Sequence, residues 1–111
     1  MVRSETPGHL EQVVLLALAG FADETRTRDV YEALVEATGH DASVAAIHIT
    51  LSRLEEKGWA ASRTDDPAPG VGGRPRRWYR LTSEGAEVLA GLRRQMDRLW
   101  KEAASHPLLG G

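Results

Sequence analysis

Four arginines fall within seven residues: Arg74, Arg76, Arg77 and Arg80, interleaved with Trp78 and Tyr79 and preceded by the glycine-rich GVGG at 70–73. Guanidinium forks bind phosphate oxygens bidentately, and glycines let a backbone come close to an anion. That pattern points to phosphate or minor-groove contact on a nucleic acid. The competing reading is a solvated hairpin whose arginines pair with Asp65 and Asp66. Upstream, SVAAIHITLSRLEEKG at 43–58 supplies a second candidate surface. Ala45, Ala46, Ile49 and Thr50 are small or apolar groups suited to base edges, and an exposed Ile49 suits a thymine methyl. Ser43, His48, Arg53 and Arg63 complete the candidate DNA-binding set with Arg74, Arg76 and Arg77.

Covalent and metal chemistry find no support in the sequence. The chain has no Cys, which excludes disulfides, thiolate metal sites and cysteine nucleophiles. Its four histidines, His9, His40, His48 and His106, lack metal-ligand spacing. GVGGRP lacks the strand-to-helix context of a phosphate cradle, and no nucleophile elbow, P-loop or dinucleotide fingerprint occurs. The expectation is a protein with no catalytic residues, no metal and no cofactor.

The formal net charge is −2 over 111 residues, which by itself disfavours nucleic acid, but the charge is unevenly spread. Residues 1–52 carry a net −5, residues 53–80 a net +3, and residues 81–111 balance. Charges beyond a Debye length of ~8–10 Å are largely screened, so an anion at contact meets the local basic patch. The longest apolar run, residues 13–19, is far short of the ~20 residues a membrane span needs. The N-terminal MVRSETPGHLEQ lacks a signal-peptide apolar region. A cytoplasmic protein without membrane contact is expected.

The length suits one core, and the elements that must position these residues follow from periodicity and caps. Residues 1–8 read as an irregular arm ending in Pro7-Gly8. HLEQVVLLAL at 9–18 predicts a helix, with Gly20 as its stop and Leu15 and Leu16 facing a partner. Thr25 or Thr27 caps a second helix ending at Thr38-Gly39, and His40-Asp41-Ala42 makes a turn. In the third helix, capped by Ser43 and stopped by Gly58, Val44, Ile47, Leu51 and Leu54 form one buried stripe. Residues 59–64 and 76–82 read as two strands around the loop 65–75, and Arg53 has Glu56 or Asp41 as alternative partners to DNA.

A final helix, capped by Thr82 or Ser83, runs from residue 84 to about residue 104. Gly85, Leu89, Leu92, Met96, Leu99 and Ala103 repeat at heptad spacing, the mark of a seam that a partner helix fills. Leu15, Leu89, Leu92, Met96, Leu99 and Trp100 are therefore the expected dimer interface. Met96 and Trp100, one turn apart, are either seam packing or the walls of a pocket for a planar aromatic effector at the two-fold axis. The expected fold is mainly α with a small β-hairpin: a winged helix-turn-helix over residues 1–82, then a dimerisation helix and tail over residues 83–111.

LSRLEEKG at 51–58, GGRPRRWYRLT at 72–82 and TSEG at 82–85, in this order, resemble the PadR family of bacterial transcriptional regulators, and the resemblance spans residues 10–100. It implies a homodimer joined through its C-terminal helix and completed by the N-terminal one, in the short form with a single C-terminal helix. It also implies repression from a palindromic operator in double-stranded DNA, with planar or phenolic effectors at the dimer interface of some members. The sequence departs from the family pattern at His48, where a DNA-contacting Tyr is usual, and at Ala45-Ala46, where Gly-Thr is common. DETRTRD at 23–29 replaces a Tyr-Gly-Tyr type approach to the second helix. The rival reading is a winged-helix protein-interaction module without DNA binding, favoured by the acidic first half and by His48. A ligand-sensing dimer of weak DNA affinity lies between the two.

Overall fold

The computed structural model describes residues 6–39, 42–67, 70 and 72–110. Three helices come first, α1 (His9–Ala19), α2 (Thr27–Thr38) and α3 (Val44–Glu56). A hairpin of β1 (Ala60–Asp65) and β2 (Arg76–Leu81) follows, then the long α4 (Ser83–Ala103) and a 3₁₀ turn at Pro107–Leu109. This is the mainly helical architecture with a small hairpin that the sequence predicts. His40 and Asp41 of the expected turn lie outside the described residues, as do residues 1–5 of the arm and 68, 69 and 71 of the wing loop.

Caps fix most boundaries. The Ser43 hydroxyl accepts from the Ala46 N–H at 3.0 Å at the start of α3, and the Thr82 hydroxyl accepts from the Gly85 N–H at 3.1 Å at the start of α4. Gly39, at φ 66°, ends α2 in the left-handed conformation that favours glycine. Helix α2 departs from expectation: its N-cap is Arg26 with no side-chain cap bond, and Thr27 is its first residue. Thr25 is instead buried in an antiparallel bridge to Tyr79, each N–H donating to the other's carbonyl at 2.8 Å. The α1–α2 connection thereby lies along β2, on the edge that β1 leaves free.

The core gathers one stripe from each helix: Val14, Leu15 and Leu18 of α1, Val30 and Leu34 of α2, and Ile47, Leu51 and Leu54 of α3, closed by Trp59, Ala60 and Tyr79. Each such side chain contributes roughly 1.5–3 kcal/mol on full burial. Lys57, at the end of α3, donates to both Glu11 oxygens at 3.0 and 2.8 Å, and its ammonium lies 5.0 Å from the Trp59 ring centroid. Burial alone raises the Glu11 carboxyl pKa, but it is outweighed by the Lys57 bonds, the Gly8 N–H and the Lys57 and Arg53 charges. The net value lies below 4.5, the ordinary one.

Helix α4 starts inside this core and leaves it. Gly85 is buried against the backbone of Trp59, whose carbonyl oxygen a Cβ at this position would overlap. Gly85 is thus a close-approach glycine and not the first member of the heptad seam. Val88 and Leu89 pack on the core, whereas residues 93–102 are all exposed. The radius of gyration is 17.0 Å, against about 13 Å for a self-contained globule of this length. The outer half of α4 extends beyond the core, with residues 93–102 exposed among the described residues.

Candidate nucleic-acid interface

The inner stripe of α3 fixes what its outer face presents. With Ile47, Leu51 and Leu54 buried, Ala45, His48, Ile49 and Arg53 are exposed, and Ala46 and Ser52 are half-buried. Ile49 keeps 53% of its surface exposed in the middle of this face. The His48 ring meets Tyr79 edge-on, with centroids 6.4 Å apart. Ser43 is exposed beside Ala45, its oxygen held by the cap and its O–H left as a donor. Thr50 is a correction to the expected base-reading set. It is buried, and its hydroxyl donates to the Ala46 carbonyl at 2.8 Å, so it faces inward.

The hairpin stands beside this face, anchored at its root by Thr82, whose N–H donates to the Trp59 carbonyl and whose O–H donates to the Gly58 carbonyl. Register pairs Arg63 with Trp78 and Asp65 with Arg76. On the outer side of the hairpin the Arg63 guanidinium lies over the Trp78 ring, 5.8 Å from its centroid. It reaches past that ring to Glu24, donating from Nε to both carboxylate oxygens at 2.7 and 2.9 Å. The Glu24 bonds raise the Arg63 pKa above its ordinary value; desolvation opposes them, and the Glu24, Asp65 and Asp23 charges add to the rise. On the inner side, Glu55 of α3 accepts from the Ser62 hydroxyl at 2.6 Å and pairs with Arg77 at 3.6 Å.

The expected phosphate set thus divides. Arg63 and Arg77 are engaged by carboxylates and brace the wing against the α1–α2 connection and α3. Arg53, Arg74, Arg76 and also Arg80, which the sequence reading left out of its set, are exposed and make no ion pair among the described residues. The bracing carboxylates are Glu24 and Glu55, whereas Asp65 approaches Arg63 only at 3.9 Å. Nothing local in the sequence announces Glu24, which stands 39 residues from Arg63.

A second surface lies on the outer half of α4. Met96, Leu99, Trp100, Ala103 and Leu109 line an open apolar recess of about 260 Å³. Gln12, Leu16, Leu89, Leu92, Arg93 and Met96 line a groove of about 250 Å³ between α1 and α4. Of the expected interface, Leu99 and Trp100 are 61% and 58% exposed, and Leu89 and Leu92 are half-buried. Leu15 is a correction: it is wholly buried in the protomer's own core, and its neighbour Leu16, 58% exposed, faces outward. No helix is long and apolar enough to cross a membrane, and no cluster of metal-ligating side chains occurs among the described residues.

Three helices followed by a hairpin, with the third helix presenting its outer face beside a wing that carries exposed arginines, define a winged helix-turn-helix. Residues 15–91 match the Transcriptional regulator PadR-like family, and the chain belongs to it. The protein is a transcriptional regulator of the PadR-like family, whose members bind DNA. Solved structures agree in fold. A PadR family regulator from Clostridium difficile R20291 is 20% identical with a TM-score of 0.66, covering 91% of this chain and 99% of its own. A PadR-like transcription factor from Bacteroides fragilis is 24% identical with a TM-score of 0.72, covering 87% of each chain. Bordetella bronchiseptica BpsR, whose DNA binding is regulated by 6-hydroxynicotinic acid, is 18% identical with a TM-score of 0.67, covering 95% of this chain and 70% of its own. A search of curated proteins finds no significant match.

Proposed function

We propose that this chain is a sequence-specific DNA-binding repressor that acts as a homodimer on a palindromic operator and answers to a planar aromatic effector. In this reading, residues 1–82 bind DNA and residues 83–111 join two protomers. Each α3 enters a major groove, and the two grooves lie about 34 Å apart on one face of the duplex. Ala45, Ala46 and Ile49 face base edges, with Ser43 and His48 beside them, and Arg53, Arg74 and Arg76 hold phosphate. The observation that carries the reading is the set of exposed arginines, without ion-pair partners among the described residues, on α3 and on the wing beside its small, exposed face.

The dimer rests on the uncovered apolar face of α4, where Leu92, Met96, Leu99 and Trp100 continue toward Leu16. A partner copy covering that face would bring a Trp100 and a Met96 from each protomer to the interface, where the two Trp rings could flank a ligand. Such a site favours a flat aromatic ligand through stacking. The regulation of BpsR by an aromatic acid is in keeping with it.

Fluorescence-anisotropy titration tests the reading, using duplex from the chain's own upstream region and a scrambled duplex at two salt concentrations. Tighter binding to the upstream duplex, weakening steeply with salt, is the expected result. Binding to neither duplex at low salt would favour the protein-interaction module instead.

A further inference from the structure

We infer that Ile49 is a specificity determinant that reads the 5-methyl group of a thymine in each operator half-site. This rests on the DNA-binding reading above and adds to it the chemistry of the base being read. Ile49 is the large apolar side chain that α3 leaves exposed, at 53% of its surface, while Ile47, Leu51 and Leu54 are buried. Ala45 precedes it by one helical turn and is also exposed. A short side chain there lets the helix axis come close to a surface, so that Ile49 reaches the groove floor first.

The flanking chemistry selects the occupant. Arg53 lies one turn beyond Ile49 on the same helix, and Arg74 and Arg76 project from the wing, all exposed and without ion-pair partners among the described residues. An exposed apolar group with an exposed guanidinium one turn along the same helix fits an apolar spot beside a phosphate. In the major groove that spot is the thymine C5-methyl, which neither uracil nor unmodified cytosine carries. Few of the usual bidentate base readers are present on this face. It has no Asn, Gln or Lys, Glu55 is occupied by Ser62 and Arg77, and the exposed Glu56 stands two turns beyond Ile49 at the end of the helix. Apolar contact therefore carries a larger share of the discrimination here than in a helix rich in amide side chains, and 5-methylcytosine at the same position presents the same methyl.

The test begins with duplexes selected by the full-length protein from a random library. Each thymine of the selected half-site is then replaced singly by uracil, which removes only the methyl. Removing one methyl from an apolar contact is expected to weaken binding about fourfold per half-site, or roughly fifteenfold when both half-sites are changed. Ile49→Ala should bind the thymine and uracil duplexes equally at that position, with its salt dependence unchanged. Because Ile49 is exposed, this variant keeps the buried stripe of α3 intact, and circular dichroism checks that it does. Equal affinity for thymine and uracil at every position, or a uracil effect that persists in Ile49→Ala, overturns this inference alone. Failure to select any duplex that binds in a salt-dependent manner overturns it together with the reading on which it rests.

Discussion

Two arginines of the wing region differ in what already holds them, and the difference sets opposite outcomes for their removal. Arg76 is exposed and unpaired among the described residues, whereas Arg63 is bonded to Glu24 and stacked over Trp78. If Arg76 neutralises one phosphate per protomer, Arg76→Ala removes two contacts from the dimer. The slope of log affinity against log salt then flattens by about 1.8. Between 50 and 200 mM salt that change shrinks the loss of affinity by roughly twelvefold. Arg63→Ala should leave the slope close to that of the parent, because its donors are spent within the fold. Its cost appears in stability, as a lowered Tm, because the Glu24 pair and the cation–π contact with Trp78 are lost. Anisotropy titrations across that salt range, with thermal melts of both variants, make the comparison. A slope for Arg63→Ala as flat as that of Arg76→Ala would refute the assignment of Arg63 to the fold.

Further expectations follow from the packing. Gly85→Ala places a methyl against the Trp59 carbonyl, a backbone atom that cannot swing away, and should cost about 2–3 kcal/mol in thermal or urea unfolding. Parent-like stability would show that α4 does not approach so closely. Glu11 has a depressed pKa in the folded state, so its pairing with Lys57 stabilises the fold fully above 4.5, the ordinary value, and less as pH falls through the lowered one. The stability gap between the parent and Glu11→Gln should therefore be widest near neutral pH and close on acidification, and a gap that widens in acid would contradict the pairing. Leu99→Asp alters a residue exposed in the single chain, so it should leave the protomer folded but monomeric in sedimentation velocity and without operator affinity. Persistence of dimers would exclude this face as the interface.

The parts of the fold legible in the sequence are those written locally. The α3 stripe repeats at helical spacing, and Ser43 and Thr82 stand where caps belong, so the extent of the helix that presents the candidate site and its buried Ile47, Leu51 and Leu54 are legible in the sequence. Helix α1 is apolar nearly all round after Gln12, and a pattern without a polar face has no phase. The sequence therefore does not separate Leu15, which is buried in the core, from Leu16, which faces outward. Thr50 looked available because a threonine at the edge of a stripe can turn either way, and its bond to the Ala46 carbonyl turned it inward. Gly85 fitted the heptad numerically, while its real constraint, the Trp59 carbonyl, comes from a distant segment. The same holds for Glu24, which reaches Arg63 because Thr25 bridges to Tyr79 and lays the α1–α2 connection along β2. Tertiary pairing of this kind leaves no periodic trace.

The most direct measurement is a methylation-protection footprint of the full-length protein on duplex from its own upstream region, reading guanine N7 in the major groove. Two protected patches on one face, about 10–10.5 base pairs apart and related by two-fold symmetry, are the expected result for a dimer placing two α3 helices in successive major grooves. A single patch, or no protection at concentrations that saturate the dimer, would contradict that arrangement.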